Sequence, residues 1–313
     1  MPRSTPTTER PRRAPQPPPP PARRPRRALT LLVVAALAVG GWWVWRHGKV
    51  GPITVRSYCE VTVKDVTVDL DPEQMGNAAT IAGIAARRGL PARAATIALA
   101  TAMQESKLRN LAHGDRDSLG LFQQRPSQGW GTQAQVRDPV YATNAFYDVL
   151  VKIEGYQNLP VTQAAQKVQR SAFPTAYAQH EPEARAMASA LTGYSPAALS
   201  CSLPAADLPT QEKGRSGLVP RAAGVATAAK EETGAGAAPV RADRDGATVA
   251  LRPRAGADAA RRSWGIASWA VARAQGLGIV EVRVAGKAWT RDGGWAAIKG
   301  GPASGTVDVR VAR

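Results

Sequence analysis

The chain has 313 residues, enough for about two folded domains with flanking segments. Its 41 Lys and Arg residues against 24 Asp and Glu give a net charge of +17, which favours anionic partners. Two cysteines and three histidines are too few for a multi-cysteine zinc module or a disulfide-rich scaffold. We therefore exclude the cysteine-rich classes and predict neither a metal ion nor another cofactor.

The first 27 residues have the composition of a disordered tail. They contain ten prolines and eight arginines against a single acidic residue, Glu9, so they offer no apolar face to bury. The next 18 residues, 28 to 45, carry no charge. As a helix they would extend about 27 Å, close to the thickness of the hydrocarbon core of a bilayer. The sequence thus predicts a disordered segment at 1 to 27 and one transmembrane helix at 28 to 45.

Basic residues are concentrated before this apolar run. Four arginines lie within residues 23 to 27, whereas only Arg46 and Lys49 follow the run closely. The positive-inside rule then places the N-terminus in the cytoplasm and residues 46 to 313 outside the plasma membrane. Tryptophans cluster at residues 42 to 45, as at an outer membrane interface, and no small-residue cleavage site ends the run. We therefore predict an uncleaved, single-pass anchor.

Cys59 and Cys201 are the two cysteines of the predicted extracellular region. Exported proteins meet oxidising conditions, so the pair is a candidate for a disulfide, with two buried free thiols as the alternative. In the chain-entropy model, closing a loop of this length stabilises a fold by up to roughly 5 kcal/mol. The bond would tie the beginning of the first extracellular domain to its end.

Residues 46 to 203 have the pattern of a mainly helical domain that starts with a short strand pair between residues 53 and 70. The first helix has clear boundary signals. Asp71 is a suitable N-cap, Gln74 stands at the capping-box position three residues later, and Gly89 marks the end.

A second helix is predicted from Pro91 to Glu105. It is apolar on nearly all sides, so we expect a buried central helix. A negative charge at the C-terminal end of a helix interacts unfavourably with the helix macrodipole, so the position of Glu105 suggests a specific role. Apolar surroundings favour the protonated form of a carboxyl group, which can then donate a proton near neutral pH. The structural alternative is an ion pair between Glu105 and Arg109 one turn later.

Two short motifs here resemble those of lytic transglycosylases. Glu105-Ser106 is followed by the run Leu-Gly-Leu-Phe-Gln at residues 119 to 123, which is similar to the Glu-Ser and Gly-Leu-Met-Gln motifs of that family. The resemblance covers roughly residues 71 to 195. The nearest counterpart of the family's third motif is the segment 168 to 177. The resemblance implies a mainly α, lysozyme-like fold and cleavage of peptidoglycan.

The resemblance also implies roles for single residues. Glu105 would protonate the glycosidic oxygen between N-acetylmuramic acid and N-acetylglucosamine, and then act as base for the muramic 6-hydroxyl, giving a 1,6-anhydro product. Ser106 would help to orient this glutamate. Gly120 would leave room for the sugar, and Gln123 would line the cleft with hydrogen bonds.

Other residues near the motifs leave alternatives open. If the reaction were hydrolysis with inversion, a second carboxylate would activate water, and Asp115 and Asp117 are the nearest candidates. Both are equally compatible with capping of turns. Trp130 is a candidate for stacking on a sugar, or it fills the core. Gln123 also fits an ordinary surface position.

The rest of the chain has the pattern of a linker at 204 to 217 and a small α+β domain at 218 to 313. Alternation and helical periodicity predict strands near 247 to 251, 279 to 284 and 306 to 311, and a helix over 264 to 275. The Trp264 helix, together with Trp289 and Trp295, resembles a C-terminal domain of secreted actinobacterial cell-wall proteins. Members of that domain carry a His and an Asp before this helix; residues 204 to 313 contain no histidine to accompany Asp258, so the resemblance implies a non-catalytic domain here.

The predicted fold class is thus a mainly α lysozyme-like domain plus a small α+β C-terminal domain, after a single transmembrane helix. The predicted function is that of a membrane-anchored lytic transglycosylase or muramidase-like glycosidase. The alternative is an inactive glycan-binding or envelope scaffold protein. Peptidoglycan or another anionic wall polymer is the predicted partner, and the extracellular location disfavours nucleic acid. A metal transporter is excluded, because one span forms no pathway and no His, Cys or Met cluster supplies ligands.

Overall fold

A computed structural model of the chain describes residues 56 to 170, 175 to 240, 243 to 303 and 305 to 313. These residues form one compact unit. The predicted tail at 1 to 27 and the predicted transmembrane helix at 28 to 45 lie outside the described residues. No helix in the described part combines the length and the apolar composition that crossing a bilayer requires.

A three-stranded antiparallel sheet holds the start of the described chain. Its strands are β1 (Tyr58–Val63), β2 (Val66–Leu70) and β3 (Leu199–Ser202), with β1 in the middle. Cys59 on β1 lies directly opposite Cys201 on β3, and their sulfurs are bonded, which confirms the predicted disulfide. The bond joins residues 142 positions apart, so it connects the two ends of the helical region between β2 and β3.

The described residues between β2 and β3 are mostly helical. The helices are α1 (Pro72–Arg87), α2 (Ala92–Ser106), α3 (Gln133–Val136), α4 (Pro139–Leu150), α5 (Val161–Gln169) and α6 (Glu181–Leu191). The capping box predicted for α1 is confirmed. The Gln74 backbone N–H donates to the Asp71 carboxylate at 2.9 Å, and the Asp71 backbone N–H donates to the Gln74 side chain at 3.1 Å.

The second half of the chain forms a larger antiparallel sheet and further helices. The helices are α7 (Pro220–Thr233), α8 (Ala259–Ala272) and α9 (Ala274–Leu277). The strands are β4 (Gly236–Pro239), β5 (Thr248–Arg252), β6 (Ile279–Val284), β7 (Lys287–Thr290), β8 (Gly294–Ala297) and β9 (Val307–Val311). They follow one another in the sheet in the order β4-β5-β9-β6-β7-β8.

Helix α1 lies at the centre of the described unit. Residues 75 to 85 are all buried, because α2 and α4 cover the helix from the first half of the chain while α7 and α8 cover it from the second. The two sheets also meet. The indole N–H of Trp295 on β8 donates to the Leu199 carbonyl on β3 at 2.8 Å. The site near α2 therefore rests on a core to which both halves contribute.

The fold class predicted from the sequence is wrong. Helices take 42% of the described residues and strands 19%, in two antiparallel sheets, so the architecture is mixed α/β. The expectation was a mainly α lysozyme-like domain followed by a small α+β domain, both after a transmembrane helix, and the mixed architecture corrects it. Strands β3, β4, β7 and β8 have four residues each, too few for alternation to be recognised.

Candidate functional site

Glu105 lies in the last turn of α2, and the neighbouring helix α1 holds the end of this turn. The backbone continues through Lys107 and Leu108 in the left-handed conformation, with φ of 54° and 59°. Gln74 of α1 donates its side-chain amide to the Lys107 carbonyl, and Asn77 donates to the Leu108 carbonyl, both at 2.8 Å. The position of Glu105 is thereby fixed relative to α1.

Arg109 does not pair with Glu105. Because the backbone turns away from the axis of α2 after residue 106, the Arg109 guanidinium contacts the carboxylates of Asp71 and Glu73 at the start of α1 instead. Within the described residues, Glu105 has no ion pair. The structural alternative considered for this carboxyl group is therefore removed.

Tyr177 is the hydrogen-bond partner of Glu105. Its phenol O–H donates to Glu105 Oε1 at 2.7 Å, and its ring is fully buried. Glu105 itself is half-buried, and no hydrogen bond or ion pair of the described residues engages its second oxygen, Oε2. One carboxyl oxygen is thus held by the protein, and the other is available to an external group.

Ser106 joins the glutamate's helix to the second motif. Its buried hydroxyl donates to the Leu121 carbonyl at 2.7 Å and lies 3.0 Å from the Ala102 carbonyl of its own helix. The 118 to 124 segment is thereby attached to the end of α2. Ser106 therefore fixes the position of this segment, and it makes no hydrogen bond to the Glu105 carboxyl group.

Gly120 sits at the tightest backbone approach of this segment. Its φ is +75°, and a Cβ atom there would lie 2.2 Å from the Val136 carbonyl oxygen of α3. Its own N–H donates to the Leu111 carbonyl at 2.8 Å. Position 120 therefore requires glycine because of its contact with α3. The resemblance had implied a different reason, namely room for a sugar.

Gln123 folds back onto its own loop. Its side-chain amide donates to the Gly120 carbonyl at 3.2 Å, and a Cβ atom at Gly114 would lie 1.8 Å from its Oε1. The residue is half-buried, and its φ is 48°. Gln123 closes the loop, and only its exposed part can contact a ligand.

Asp115 and Asp117 have different surroundings, and neither contacts Glu105. The Asp115 side chain is 92% exposed. Asp117 accepts hydrogen bonds from Arg125 Nε at 2.8 Å and from the backbone N–H of Ser127 at 2.8 Å. These bonds, with that of the Ser127 hydroxyl, hold the pKa of Asp117 well below its usual range. Asp117 therefore stabilises the turn as a carboxylate.

Trp130 is partly buried against the core and lines a cavity of about 480 Å³. Gln169 and Arg170 at the end of α5 line the same cavity. Gln169 also donates its side-chain amide to the Phe122 carbonyl at 2.8 Å. Through Phe122 this cavity adjoins the segment that Ser106 attaches to the end of α2.

A polar cluster next to Glu105 was not predicted from the sequence. Gln104 Oε1 lies 3.1 Å from His180 Nε2 and accepts a hydrogen bond from Gln179 at 3.2 Å. Burial lowers the pKa of His180 below its usual range, although Glu183 acts in the opposite direction, so the ring is neutral at neutral pH. Gln179 and His180 lie more than seventy positions after Gln104 in the sequence, so no local pattern could predict their contacts with it.

The arrangement suits proton transfer by a single carboxyl group. Ser106 links the helix of Glu105 to the 118 to 124 segment that contains Gly120 and Gln123, whereas none of the hydrogen bonds or ion pairs of the described residues joins Asp115, Asp117 or Trp130 to Glu105. In the part of the chain that the structure describes, no three His, Cys, Asp or Glu side chains are grouped as metal ligands. The site offers one positioned carboxyl group with a phenol group beside it.

No protein-family model matches the chain, and no curated protein matches its sequence.

Proposed function

We propose that this protein cleaves the glycan strands of peptidoglycan with Glu105 as the proton donor. The observation that carries the proposal is the Glu105 carboxyl group, which has Oε1 bound by Tyr177 at 2.7 Å and Oε2 without a partner among the described residues. A glycosidic oxygen is a poor leaving group until it is protonated, so the reaction needs an acid in a fixed place. A carboxyl group held through one oxygen meets this need.

The proposed reaction requires one carboxyl group for both proton transfers. Glu105 gives its proton to the glycosidic oxygen as the bond from that oxygen to C1 of the muramic residue breaks. Glu105 then accepts the proton of the muramic 6-hydroxyl as the bond between O6 and C1 forms. The glutamic acid is regenerated, and the product is a 1,6-anhydro end. No water is consumed.

Two cavities are lined by segments that precede and follow Tyr177 in the sequence, and we propose that they serve as subsites, although neither is lined by Glu105 itself. One is the cavity of Trp130, Gln169 and Arg170. The other, of about 610 Å³, is lined by Lys64 and Asp65 of the β1–β2 turn and by Ala178 and Glu181 near α6. Tyr177 stands between Arg170 and Ala178 in sequence, and it contacts Glu105. A glycan strand needs several such subsites, because its sugar units bind one by one along a groove.

The proposed function requires that the described unit lie outside the plasma membrane, where peptidoglycan is found. In the proposed location, residues 28 to 45, which lie outside the described residues, would anchor the chain in the plasma membrane with the N-terminus in the cytoplasm and the described unit facing the wall. The disulfide between Cys59 and Cys201 supports this placement, because disulfides persist in oxidising compartments. Peptidoglycan is then the anionic polymer closest to the protein.

The test is incubation of the purified full chain with isolated peptidoglycan, followed by mass analysis of the released fragments. We expect fragments with 1,6-anhydro ends, which are lighter by one water molecule than fragments with reducing ends. Reducing ends alone would contradict the single-carboxyl mechanism, because they show attack by water. If the protein binds peptidoglycan and releases no fragment, cleavage is contradicted and the scaffold alternative replaces it.

A further inference from the structure

A third cavity, of about 480 Å³, lies where three parts of the fold meet, and Glu105 does not line it. Its walls come from the C-terminal end of α1 and the turn into α2, from the segment after α6, and from the first turn of α8 with the loop before it. Three arginines, Arg254, Arg261 and Arg262, and the aromatic residue Tyr194 line it. We call these four residues the arginine crevice.

Arg261 is held firmly within the crevice. Its Nη1 donates to the Thr192 carbonyl at 3.0 Å, and its Nη2 donates to Asp258 at 2.9 Å. The guanidinium carbon lies 4.5 Å from the centre of the Tyr194 ring. Because these three contacts already restrict the Arg261 side chain, binding of a ligand costs little additional side-chain entropy.

Neither of the other two arginines forms an ion pair within the described residues, although the charge of Arg262 also acts on Asp258 and helps to lower its pKa. Among the described residues, no carboxylate oxygen lies within 4.0 Å of the guanidinium of Arg254 or Arg262. Arg262 makes one long hydrogen bond, of 3.4 Å, to the Arg254 carbonyl. The Arg261 guanidinium holds the pKa of Asp258 below its usual range, so Asp258 is ionised at neutral pH and balances one of the three positive charges. The crevice thus carries two positive charges in excess.

The crevice also offers surfaces for the uncharged part of a ligand. Tyr194 is 59% exposed despite its contact with Arg261. An adjoining hollow shares the three arginines and is lined by the apolar side chains of Leu191 and Ile266. Guanidinium groups bind phosphate and carboxylate oxygens in pairs, and an exposed aromatic ring stacks on the apolar face of a sugar.

We propose that the arginine crevice binds an anionic carbohydrate chain through its phosphate or carboxylate groups. Arg254 and Arg262 bind the anionic group, Arg261 fixes the Tyr194 ring, and the ring contacts the adjacent sugar or polyol. The crevice shares no residue with the site around Glu105. The assignment therefore holds whether or not the protein cleaves glycan strands.

The test compares two double variants of the full chain that lose the same charge. The crevice variant is Arg254→Ala with Arg262→Ala. The control variant is Arg215→Ala with Arg244→Ala, which removes two exposed arginines that form no ion pair in the described part of the chain and do not line the crevice. Affinities are measured by calorimetry at one ionic strength for poly(glycerol phosphate), polygalacturonate and neutral dextran.

We expect the crevice variant to bind at least one anionic polymer about tenfold more weakly than the wild type, because two charge-assisted hydrogen-bonding groups are lost. The control variant should stay within about twofold, and dextran should not bind. Loss confined to the phosphate polymer or to the polygalacturonate identifies the anionic group. Equal weakening in both variants would show diffuse charge attraction and overturn the proposal, as would a wild type that binds neither anionic polymer. Equal melting temperatures of the two variants exclude unfolding as the cause.

Discussion

Gly120 is the residue at which the 118 to 124 segment lies against the backbone of α3. Its φ of +75° suits glycine, and a Cβ atom would lie 2.2 Å from the Val136 carbonyl. We therefore predict that Gly120→Ala lowers the free energy of unfolding by more than about 2 kcal/mol, the sum of the backbone penalty and the steric clash. Urea unfolding of the full chain measures the change.

Gly155 is the matched control for this substitution. Its φ of +63° imposes a similar backbone penalty, but nothing lies within 4 Å of the Cβ position. Gly155→Ala should cost only about 1 kcal/mol. Equal losses in the two variants would contradict the close approach between the 118 to 124 segment and α3.

At the level of single residues, the sequence predicted the residues that belong to a short motif or that have a characteristic chemistry. Glu105 and Ser106 could be found from a short motif, and Cys59 with Cys201 from their number and their expected compartment. Tyr177 could be placed only in a segment compared with a third motif. Its contact with Glu105 spans 72 positions and depends on how α6 packs against α2. Such pairs follow from tertiary packing, which no local pattern contains.

At the level of elements, Glu232 connects three helices that come from both halves of the chain. It is 4% exposed on α7, and its Oε2 accepts hydrogen bonds from Thr80 on α1 at 2.8 Å and from Trp269 on α8 at 2.7 Å. Its Oε1 lies 3.0 Å from the Arg273 guanidinium. All three partners are donors, so a buried carboxylate satisfies them together.

Glu232→Gln places an amide N–H₂ against one of these donors. We predict a loss of about 2 to 3 kcal/mol in the free energy of unfolding, because a buried charged acceptor is removed and a donor loses its partner. The neighbouring Glu231 is exposed, and Glu231→Gln should change stability by less than about 0.5 kcal/mol. A change of similar size in the two variants, measured by urea unfolding, would argue against the Glu232 network.

The elements also show where sequence patterns are informative. Helices α1 and α4 begin where Asp71 and Asp138 cap them next to a proline, and the sequence predicts the start of α1 from this signal. The four-residue strands were missed, because β3 and β8 owe their pairing to partners elsewhere in the chain. Capping is a local interaction, whereas pairing of short strands is not.

At the level of the whole molecule, the second half of the chain completes the core of the first. Residues 75 to 85 of α1 are buried on every side only because α7 and α8 cover the face that α2 and α4 leave open. The sequence suggested an independent helical domain, because the helical pattern and the lytic transglycosylase motifs end before the predicted linker at 204 to 217. The mixed architecture follows from packing between halves, and a pattern read along the chain does not report it.

The most direct test of the central claim is the rate of peptidoglycan cleavage by Glu105→Gln in the full chain. The substitution keeps the shape of the side chain and an acceptor for the Tyr177 hydroxyl, but it removes the transferable proton. Glu154→Gln, at an exposed position, is the matched control. We predict that Glu105→Gln lowers the rate at least about hundredfold with unchanged folding, and that Glu154→Gln cleaves like the wild type. A Glu105→Gln variant that cleaves as fast as the wild type would contradict the account.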